Sequence, residues 1–247
     1  MPVFVDIIML SLGKSQALMD VTNQTIQSLL SSEDPAAIQF NILVIESNRD
    51  LKPYQYPGST TLYPNTDFGY HKFMNIGLAR TGSEYVCLCN NDLIFHKNWA
   101  SELIKAMERD TELLSASPYD ENFHMVEGFP KYAEPFEGYM GVLSGWCIFV
   151  KRRIFDIIGQ LDERLVFWYC DADFCQSLIK HGVKNCLISS SFITHLGSSS
   201  LKTLNTRENE WLTRRPRLYY EYKWQHRSRL KYMRDLFAYK LHAILKK

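Results

Sequence analysis

Two groups of carboxylates in this chain stand where they could do chemistry. Asp92 follows the apolar run at residues 85–89, and Asp171 and Asp173 follow the aromatic run at 167–169. Carboxylate oxygens suit Mg²⁺ or Mn²⁺, and a further carboxylate can accept a proton as a general base. A site that combines both is expected of an enzyme that moves a group off a phosphate leaving group. In the simpler interpretation, the first group is a solvated turn and the second a pair of helix caps.

His195 is a third candidate for the same site. It follows the apolar run at 186–193 and precedes the small residues 197–200, which could wrap an anionic ligand. A lone histidine is more often an ordinary core or surface residue, but histidine is also the commonest side-chain metal ligand. Three acid or imidazole groups that each follow an apolar run favour a site over coincidence. Asp171 and Asp173 are two positions apart and cannot share a helix face, so we assign only Asp171 to the site.

The elements that must position these residues alternate between short apolar strands and helical patterns. This alternation predicts an α/β fold with a mostly parallel central sheet and helices on both faces. Glu46 and Asp92 fall where predicted strands end, which is the edge at which such sheets bind ligands. Residues 118–140 are too long for a simple connector, and we expect them to shape the acceptor side. Strands are predicted at 3–10, 41–45, 85–89 and 186–193, and helices at 15–30, 70–79, 99–107, 154–158 and 174–180.

Length and composition fit one ordinary domain with an apolar core. The chain has 247 residues, of which 46% are hydrophobic and 22% charged. No apolar run reaches the roughly 18 to 20 residues of a membrane span, and the N-terminus lacks a basic signal-peptide head, so we expect a cytoplasmic protein. The six cysteines include no Cys-x-x-Cys pair and lie mostly in apolar runs, which predicts buried, reduced thiols.

Five blocks stand in order along residues 3–200. They are 65–70 with 75–79, then 90–92, then 144–145 with 151–153, then 159–163 with 169–173, and last 195 with 198–200. Together they resemble glycosyltransferase family 2, the inverting enzymes with the GT-A fold. Each block is weak alone, and their order gives the resemblance its weight. The chain departs from the family pattern at Glu46, at Asp67, at Cys170, and at Asn90, where the metal motif usually begins with an acid.

The resemblance implies a mechanism and a role for each matching residue. Asp92, with Mn²⁺ or Mg²⁺, would hold the diphosphate of a nucleotide sugar, and His195 would be the second metal or phosphate contact. Asp171 would be the general base that takes the proton of an acceptor hydroxyl in a single, inverting displacement. Contacts to the donor are expected from Glu46, Asn48, Asn75, Asn91 and Gly145, and acceptor or supporting contacts from Asp173, Trp168 and Trp146.

The resemblance stops near residue 204, which divides the chain into a catalytic domain at 1–204 and an extension at 205–247. The extension has seven Arg and five Lys against four acidic residues, 12 − 4 = +8, which leaves −7 for the remainder. A stripe at helical spacing predicts an amphipathic helix. It could pack on the catalytic domain, rest on the inner surface of an anionic membrane, or leave the cations and aromatics of 214–229 to bind nucleic acid. The stripe is Leu230, Met233, Phe237, Leu241 and Ile244.

Three functions remain open from the sequence. The preferred one is transfer of a sugar to a saccharide or a lipid-linked acceptor. The second is transfer to a hydroxymethylated base in DNA, which the basic extension would bind. The third is a non-catalytic relic of the fold that binds a nucleotide or a sugar. The presence of Asp92, Asp171 and His195 together argues against the relic.

Overall fold

The computed structural model describes residues 1–129, 139–197, 206–225 and 227–245. A central sheet has the strand order β3-β2-β1-β4-β8-β6-β9-β5, with β7 paired to β9. The strands are β1 (Val3–Ser11), β2 (Ile38–Glu46), β3 (Thr60–Leu62), β4 (Tyr85–Cys89), β5 (Leu93–Phe95), β6 (Leu113–Tyr119), β7 (Tyr139–Met140), β8 (Cys147–Lys151) and β9 (Lys184–His195). The helices are α1 (Gln16–Leu30), α2 (Tyr70–Leu78), α3 (Trp99–Arg109), α4 (Glu121–His124), α5 (Ile154–Ile158), α6 (Cys170–Lys180), α7 (Thr206–Trp224) and α8 (Arg229–Leu245).

The sheet has a parallel half and a mixed half. Strands β1 to β4 run parallel, whereas β8 lies antiparallel between β4 and β6. Strand β9 is parallel to β6, and β5 returns antiparallel along β9. The antiparallel β8 was not anticipated, because strand direction depends on the connection that precedes it and residues 118–140 read as a loop.

Helices cover both faces of the sheet, as the alternating pattern predicts. In β1, the side chains of Ile7 and Met9 belong to the core cluster that holds α1 and α3. Ile8 and Leu10 belong to the cluster on the opposite face, which holds α2, α5 and α6. Successive strand residues point to opposite faces, so a fully apolar strand can support a helical layer on each side.

Strand β6 was not predicted, and residues 118–119 of the expected loop belong to it. Each of its seven residues is buried, including the fully enclosed Ser115 and Ser117. The serines interrupt the apolar run that would mark a buried strand. The rest of the expected loop contains α4 and β7, and residues 130–138 lie outside the described part of the chain.

The C-terminal extension is helical, as predicted, although the boundary at residue 204 lies outside the described residues. Helix α8 packs on α7 through rings such as Tyr222 and Tyr232, which stack with centroids 4.7 Å apart. The predicted apolar stripe does not face the catalytic domain, since Leu230 and Phe237 are 84% and 68% exposed. Ile244 belongs to the part of α8 whose side chains are not described.

Two bulk predictions can be checked directly. The six cysteines are all free, and five of them are buried, as predicted. Of the helices in the described ranges, none combines the length and apolar character that would let it cross a bilayer.

Candidate functional site

The turn after β4 brings Asp92 next to the end of β9. Because Leu93 pairs with His195 in the antiparallel β5–β9 ladder, Asp92 lies beside the imidazole. The Nε2 atom of His195 is 3.4 Å from Oδ1 of Asp92, and the Leu196 amide donates to the Asp92 carbonyl at 2.8 Å. Nε2 is buried, and no atom of the described residues forms a hydrogen bond with it. A buried ring nitrogen facing a carboxylate at this distance is suited to share a cation with it.

The Asp92–His195 pair fits a divalent cation that also binds phosphate. Among the described residues, no group of three His, Cys, Asp or Glu side chains could enclose a metal ion. Mg²⁺ and Mn²⁺ do not need such a cage, because they commonly bind through one or two protein ligands, substrate phosphates and waters. The pair would therefore supply two ligands and leave the remaining positions to a diphosphate and water. Ser198 to Ser200, expected to take part, lie outside the described residues.

Trp146 fixes the imidazole in place. Its ring stacks on His195 with a centroid distance of 5.0 Å and an interplanar angle of 13°. The Trp146 carbonyl accepts the Asn90 amide at 2.9 Å, which ties the start of β8 to the turn that carries Asp92. The indole Nε1 is buried without a hydrogen-bond partner among the described residues, so its N–H can donate to a ligand.

Gly145 places Asp171 against the same segment. A Cβ atom on Gly145 would lie 2.6 Å from both Cβ and Oδ2 of Asp171. Only a glycine permits this approach, so the first turn of α6 lies directly on the backbone next to Trp146. The Asp171 side chain is exposed, and its Oδ1 accepts the Ala172 amide at 2.8 Å. The segment 144–146 therefore connects the carboxylate of Asp171 with the Asp92–His195 pair.

Asp173 has a different environment from Asp171. It is buried, and its Oδ1 accepts from Nε1 of Trp224 at 2.7 Å and lies 2.7 Å from Nζ of Lys223. These contacts join α6 to the end of α7. Trp168, the other aromatic assigned to acceptor or support, is 42% exposed and contacts Phe167 edge to face.

The carboxylate of Glu46, expected at the donor, is fully buried and shapes the loops that end β1 and β2. Its Oε1 accepts the amides of Gly13 at 3.0 Å and Asn48 at 2.6 Å, and its Oε2 accepts the Tyr56 hydroxyl at 2.8 Å. The Asn48 side chain donates to the Gly13 carbonyl at 2.9 Å. Glu46 and Asn48 thus hold the first loop in a fixed conformation at the ligand-binding edge of the sheet.

The two other asparagines expected at the donor also make internal contacts. The amide of Asn75 donates to the Leu161 carbonyl at 2.9 Å and to Glu163 at 3.1 Å, which joins α2 to the segment before α6. The Asn91 amide donates to the Thr22 hydroxyl at 2.7 Å, which fixes the turn after β4 on α1. Both side chains hold the loops around the site in position.

Three buried residues beside the site were missed by the sequence analysis. Asp120 caps α4 and also accepts the His195 amide at 2.6 Å. The Asp120 amide donates to Nδ1 of His124 at 2.8 Å, and Nε2 of His124 lies 2.9 Å from the Ser144 hydroxyl. Burial lowers the pKa of His124, which favours the neutral ring that this hydrogen bonding requires. An Asp before a short helix is a cap signal that the sequence does contain.

A concave region lies at the opposite edge of the sheet. A cavity of about 1110 Å³ is lined by the N-terminal ends of β1 and β4, with Asp6 and Ser83 in its wall. Asp6 is already paired with Arg152 at 2.7 Å. Ligands of open α/β sheets bind at the carboxyl ends of the strands, so we place the site at the Asp92 edge despite the size of this cavity.

Solved structures with the same architecture are glycosyltransferases. The fold matches GalNAc-T7, solved with UDP, GalNAc and Mn²⁺, with a TM-score of 0.61 and 12% identity over 78% of this chain and 44% of that one. It matches the mannosyltransferase PcManGT from Pyrobaculum calidifontis, solved in complex with GDP-Man and Mn²⁺, with a TM-score of 0.63 and 10% identity over 91% of this chain and 65% of that one. These matches confirm the predicted GT-A fold.

The sequence identifies the family within this fold. Residues 23–156, more than half of the chain, match the profile described as glycosyl transferase family 2. The chain belongs to glycosyl transferase family 2, as predicted. Over 83 residues it is 29% identical to the dTDP-rhamnosyl transferase RfbF of Shigella flexneri. The aligned part is 33% of this chain but only 26% of that protein, so the chain spans about a quarter of this relative.

Proposed function

We propose that the chain is a metal-dependent, inverting glycosyltransferase that moves a sugar from a nucleotide-sugar donor to an acceptor hydroxyl. The observation that carries this proposal is the placement of the Asp92–His195 pair and of Asp171 on either side of the segment 144–146. Membership of glycosyl transferase family 2 supports it. The two similar structures were solved with a uridine or guanosine nucleotide and Mn²⁺, which supports the donor class and the cation.

Asp92 and His195 would hold the cation. When bound, Mn²⁺ or Mg²⁺ supplies positive charge that stabilises the diphosphate as it leaves. Asp92 and His195 would be its two protein ligands. Trp146 stacks on the imidazole of His195 and keeps it from rotating. The unpartnered indole N–H of Trp146 would donate a hydrogen bond to an oxygen of the donor.

Asp171 would act as the base. The acceptor oxygen forms a bond to the anomeric carbon while the bond from that carbon to the diphosphate oxygen breaks, and the hydroxyl proton passes to Asp171. Because attack and departure take place on opposite faces of the sugar, one such displacement inverts the anomeric configuration. The carboxylate is exposed and carries no ion pair to Lys or Arg within the described ranges, so it can meet an incoming hydroxyl.

A saccharide or glycolipid remains the preferred acceptor. DNA bound by the extension is a less favoured acceptor. Tyr219, Lys223 and Trp224 already bind carboxylates of the catalytic domain. Those residues belong to the cation–aromatic pattern that would otherwise contact phosphates and bases. The similarity to a protein named as a dTDP-rhamnosyl transferase supports transfer of a sugar from a nucleotide-linked donor.

A thermal-shift screen tests the donor side of this proposal. The protein is heated with UDP-, GDP-, dTDP- or CMP-sugars, each with and without Mn²⁺. We expect one nucleotide class to raise Tm only when Mn²⁺ is present, because a ligand that binds the folded state stabilises it by mass action. The Asp92→Ala variant is the control and should lose the Mn²⁺-dependent part of the shift. Equal shifts without Mn²⁺ would remove the metal from the proposal, and no shift with any donor would contradict its donor side.

A further inference from the structure

Helix α8 has two faces with opposite properties. The inner face packs on α7, where Tyr232 stacks on Tyr222 and Tyr239 lies 5.6 Å from the guanidinium of Arg214. Tyr239 is 8% exposed, so it is buried in this packing. Within the described residues, the side chains on the face that points away from α7 are exposed.

The outer face carries a continuous row of large apolar side chains. Successive members are three or four positions apart, which places them on one line along the helix. Apolar residues scattered singly over a surface are normal, but a contiguous row of this kind marks an interaction site. The exposed fractions are 84% for Leu230, 54% for Met233, 68% for Phe237 and 47% for Leu241.

Cations border this row. At 100° per residue, Lys231 and Arg234 fall on one side of the row and Arg229 falls on the other. All three are exposed, and Arg234 keeps 73% of its side chain in solvent although it pairs with Asp235. The extension as a whole has an excess of positive charge, 12 − 4 = +8. An apolar row flanked by Lys and Arg is the pattern of a helix that lies in the plane of a membrane surface.

We propose that the outer face of α8 docks on an anionic lipid bilayer. Leu230, Met233, Phe237 and Leu241 would enter the boundary between headgroups and acyl chains, and the flanking cations would meet anionic headgroups. A second copy of the chain is a poorer occupant, because it would bring two extensions of like charge, each 12 − 4 = +8, against each other. Nucleic acid would satisfy the cations but would leave the apolar row in water.

The position of α8 makes this docking relevant to the catalytic domain. Helix α8 is fixed to α7, and α7 is fixed to α6 through Lys223 and Asp173 at 2.7 Å. A bilayer bound to α8 would thus hold α6 and the site at a set orientation to the membrane surface. The docking itself does not depend on the proposed transferase reaction and can be tested without any donor or acceptor.

Co-sedimentation with vesicles tests the proposal. The full chain is mixed with vesicles of phosphatidylcholine alone and with vesicles of phosphatidylcholine and phosphatidylglycerol in equal parts. We expect binding to the anionic vesicles and a decrease with added salt. A variant with Leu230, Met233, Phe237 and Leu241 all changed to Ser should lose at least about tenfold in partition to these vesicles. These side chains are exposed, so the melting temperature should stay close to that of the parent.

A matched control removes exposed apolar side chains elsewhere. Phe4→Ser and Ile179→Ser together change side chains that are 48% and 68% exposed, and this variant should bind vesicles like the parent. Equal vesicle binding by the fourfold variant would overturn the proposal. So would light scattering that shows a dimer converted to a monomer by the fourfold variant while neither protein binds vesicles. Salt-sensitive binding of duplex DNA in the absence of vesicle binding would likewise assign the extension to nucleic acid.

Discussion

Two acid-rich regions flank the first turn of α6, and they differ in what surrounds their carboxylates. The site edge contains Asp92 and Asp171, and in the described structure neither carboxylate has a Lys or Arg within ion-pair distance. The second region, where α7 docks on the rest of the chain, is called the docking patch. It contains Asp162 and Asp173, and both lie within 3.0 Å of Nζ of Lys223. The acids of the site edge remain available for a ligand, whereas those of the docking patch are used by the fold.

The hydrogen bonds of the docking patch show how firmly its charges are held. Burial alone would raise the pKa of Asp162, but hydrogen bonds from Arg164, Lys223 and Tyr219 outweigh it and hold that pKa well below its ordinary range. Burial, together with the hydrogen bond that Tyr219 donates to Asp162, raises the pKa of Tyr219. A carboxylate in such a setting is locked in its charged state, which suits a structural role and not proton transfer. Asp171 lies outside this network, and its exposed carboxylate can be reached by an acceptor hydroxyl.

The largest expected effect comes from removing the proposed base. Asp171→Asn keeps the shape of the side chain but cannot accept the proton, so turnover should fall by about a hundredfold or more. The Mn²⁺-dependent thermal shift with the donor should be retained, because the change does not touch Asp92 or His195. Steady-state turnover and the donor-induced Tm shift together check this. Turnover close to that of the parent would assign the base elsewhere.

The next effect concerns the cation pair. Asp92→Ala should lower donor affinity in the presence of Mn²⁺ by at least about tenfold, since one of two protein ligands is lost. Without Mn²⁺ the affinity of parent and variant should be alike. Isothermal titration with the nucleotide sugar measures both conditions. A variant that keeps the full Mn²⁺ effect would exclude Asp92 as a ligand, and His195→Ala gives an independent check on its partner.

The docking patch should respond in stability and not in chemistry. Asp173→Asn removes the charge that faces Lys223 and weakens the bond from Trp224, with an expected loss of about 1–3 kcal/mol in the free energy of unfolding. Urea unfolding measures this, and Asp171→Asn serves as the matched control with nearly unchanged stability. If Asp171→Asn were the more destabilising change, the contrast between the two regions would be wrong.

The smallest effect is the pH dependence of the buried histidine beside the site. Burial lowers the pKa of His124 below its ordinary 6.5, so the unfolded chain binds its proton first as pH falls. The free energy of unfolding should therefore decrease below about pH 6.5, by about 1.4 kcal/mol for each pKa unit of difference. His71, also buried with a lowered pKa, adds to the same slope.

His124→Gln isolates its share of that slope. The variant should lose less stability than the parent between about pH 7.5 and pH 5.5, whatever its stability at the higher pH. Urea unfolding at the two pH values gives the difference. Parallel pH profiles for parent and variant would show that His124 is not kept neutral by the fold.

Local periodicity was enough to predict most of the fold. The runs that became β1 and β4 are continuous and apolar because both of their faces are covered. The helix predicted from Ser15 begins at Gln16, with Ser15 as its cap. Strand β6 was not predicted, because the buried polar residues Ser115 and Ser117 interrupt its run of apolar residues. Their burial depends on packing by distant segments, which a local pattern does not contain.

The assignment of Asp92, His195 and Asp171 to the site stays a prediction, whereas their arrangement comes from the structure. The sequence marks all three by their position at element ends. The sequence assigned Asp171 and not Asp173 to the site, but the surroundings that distinguish the two depend on Lys223, which lies 50 residues beyond Asp173 and is brought to it by the docking of α7. In the same way, the apolar row on α8 points outward because the opposite face of α8 packs on α7.

Lys223 contacts both Asp162 and Asp173 and so joins the basic extension to the part of the chain that precedes it. Charge composition alone would separate these two segments. Opening α7 would remove the cation from Asp173 and would separate Tyr220 from Tyr169, a non-glycine residue held at φ 69° at the start of α6. Such a left-handed residue persists only where its surroundings enforce it. Amides of α6 and α7 should therefore exchange with deuterium together, as one cooperative unit. A change in charge along a sequence can thus fall in the middle of a single folding unit.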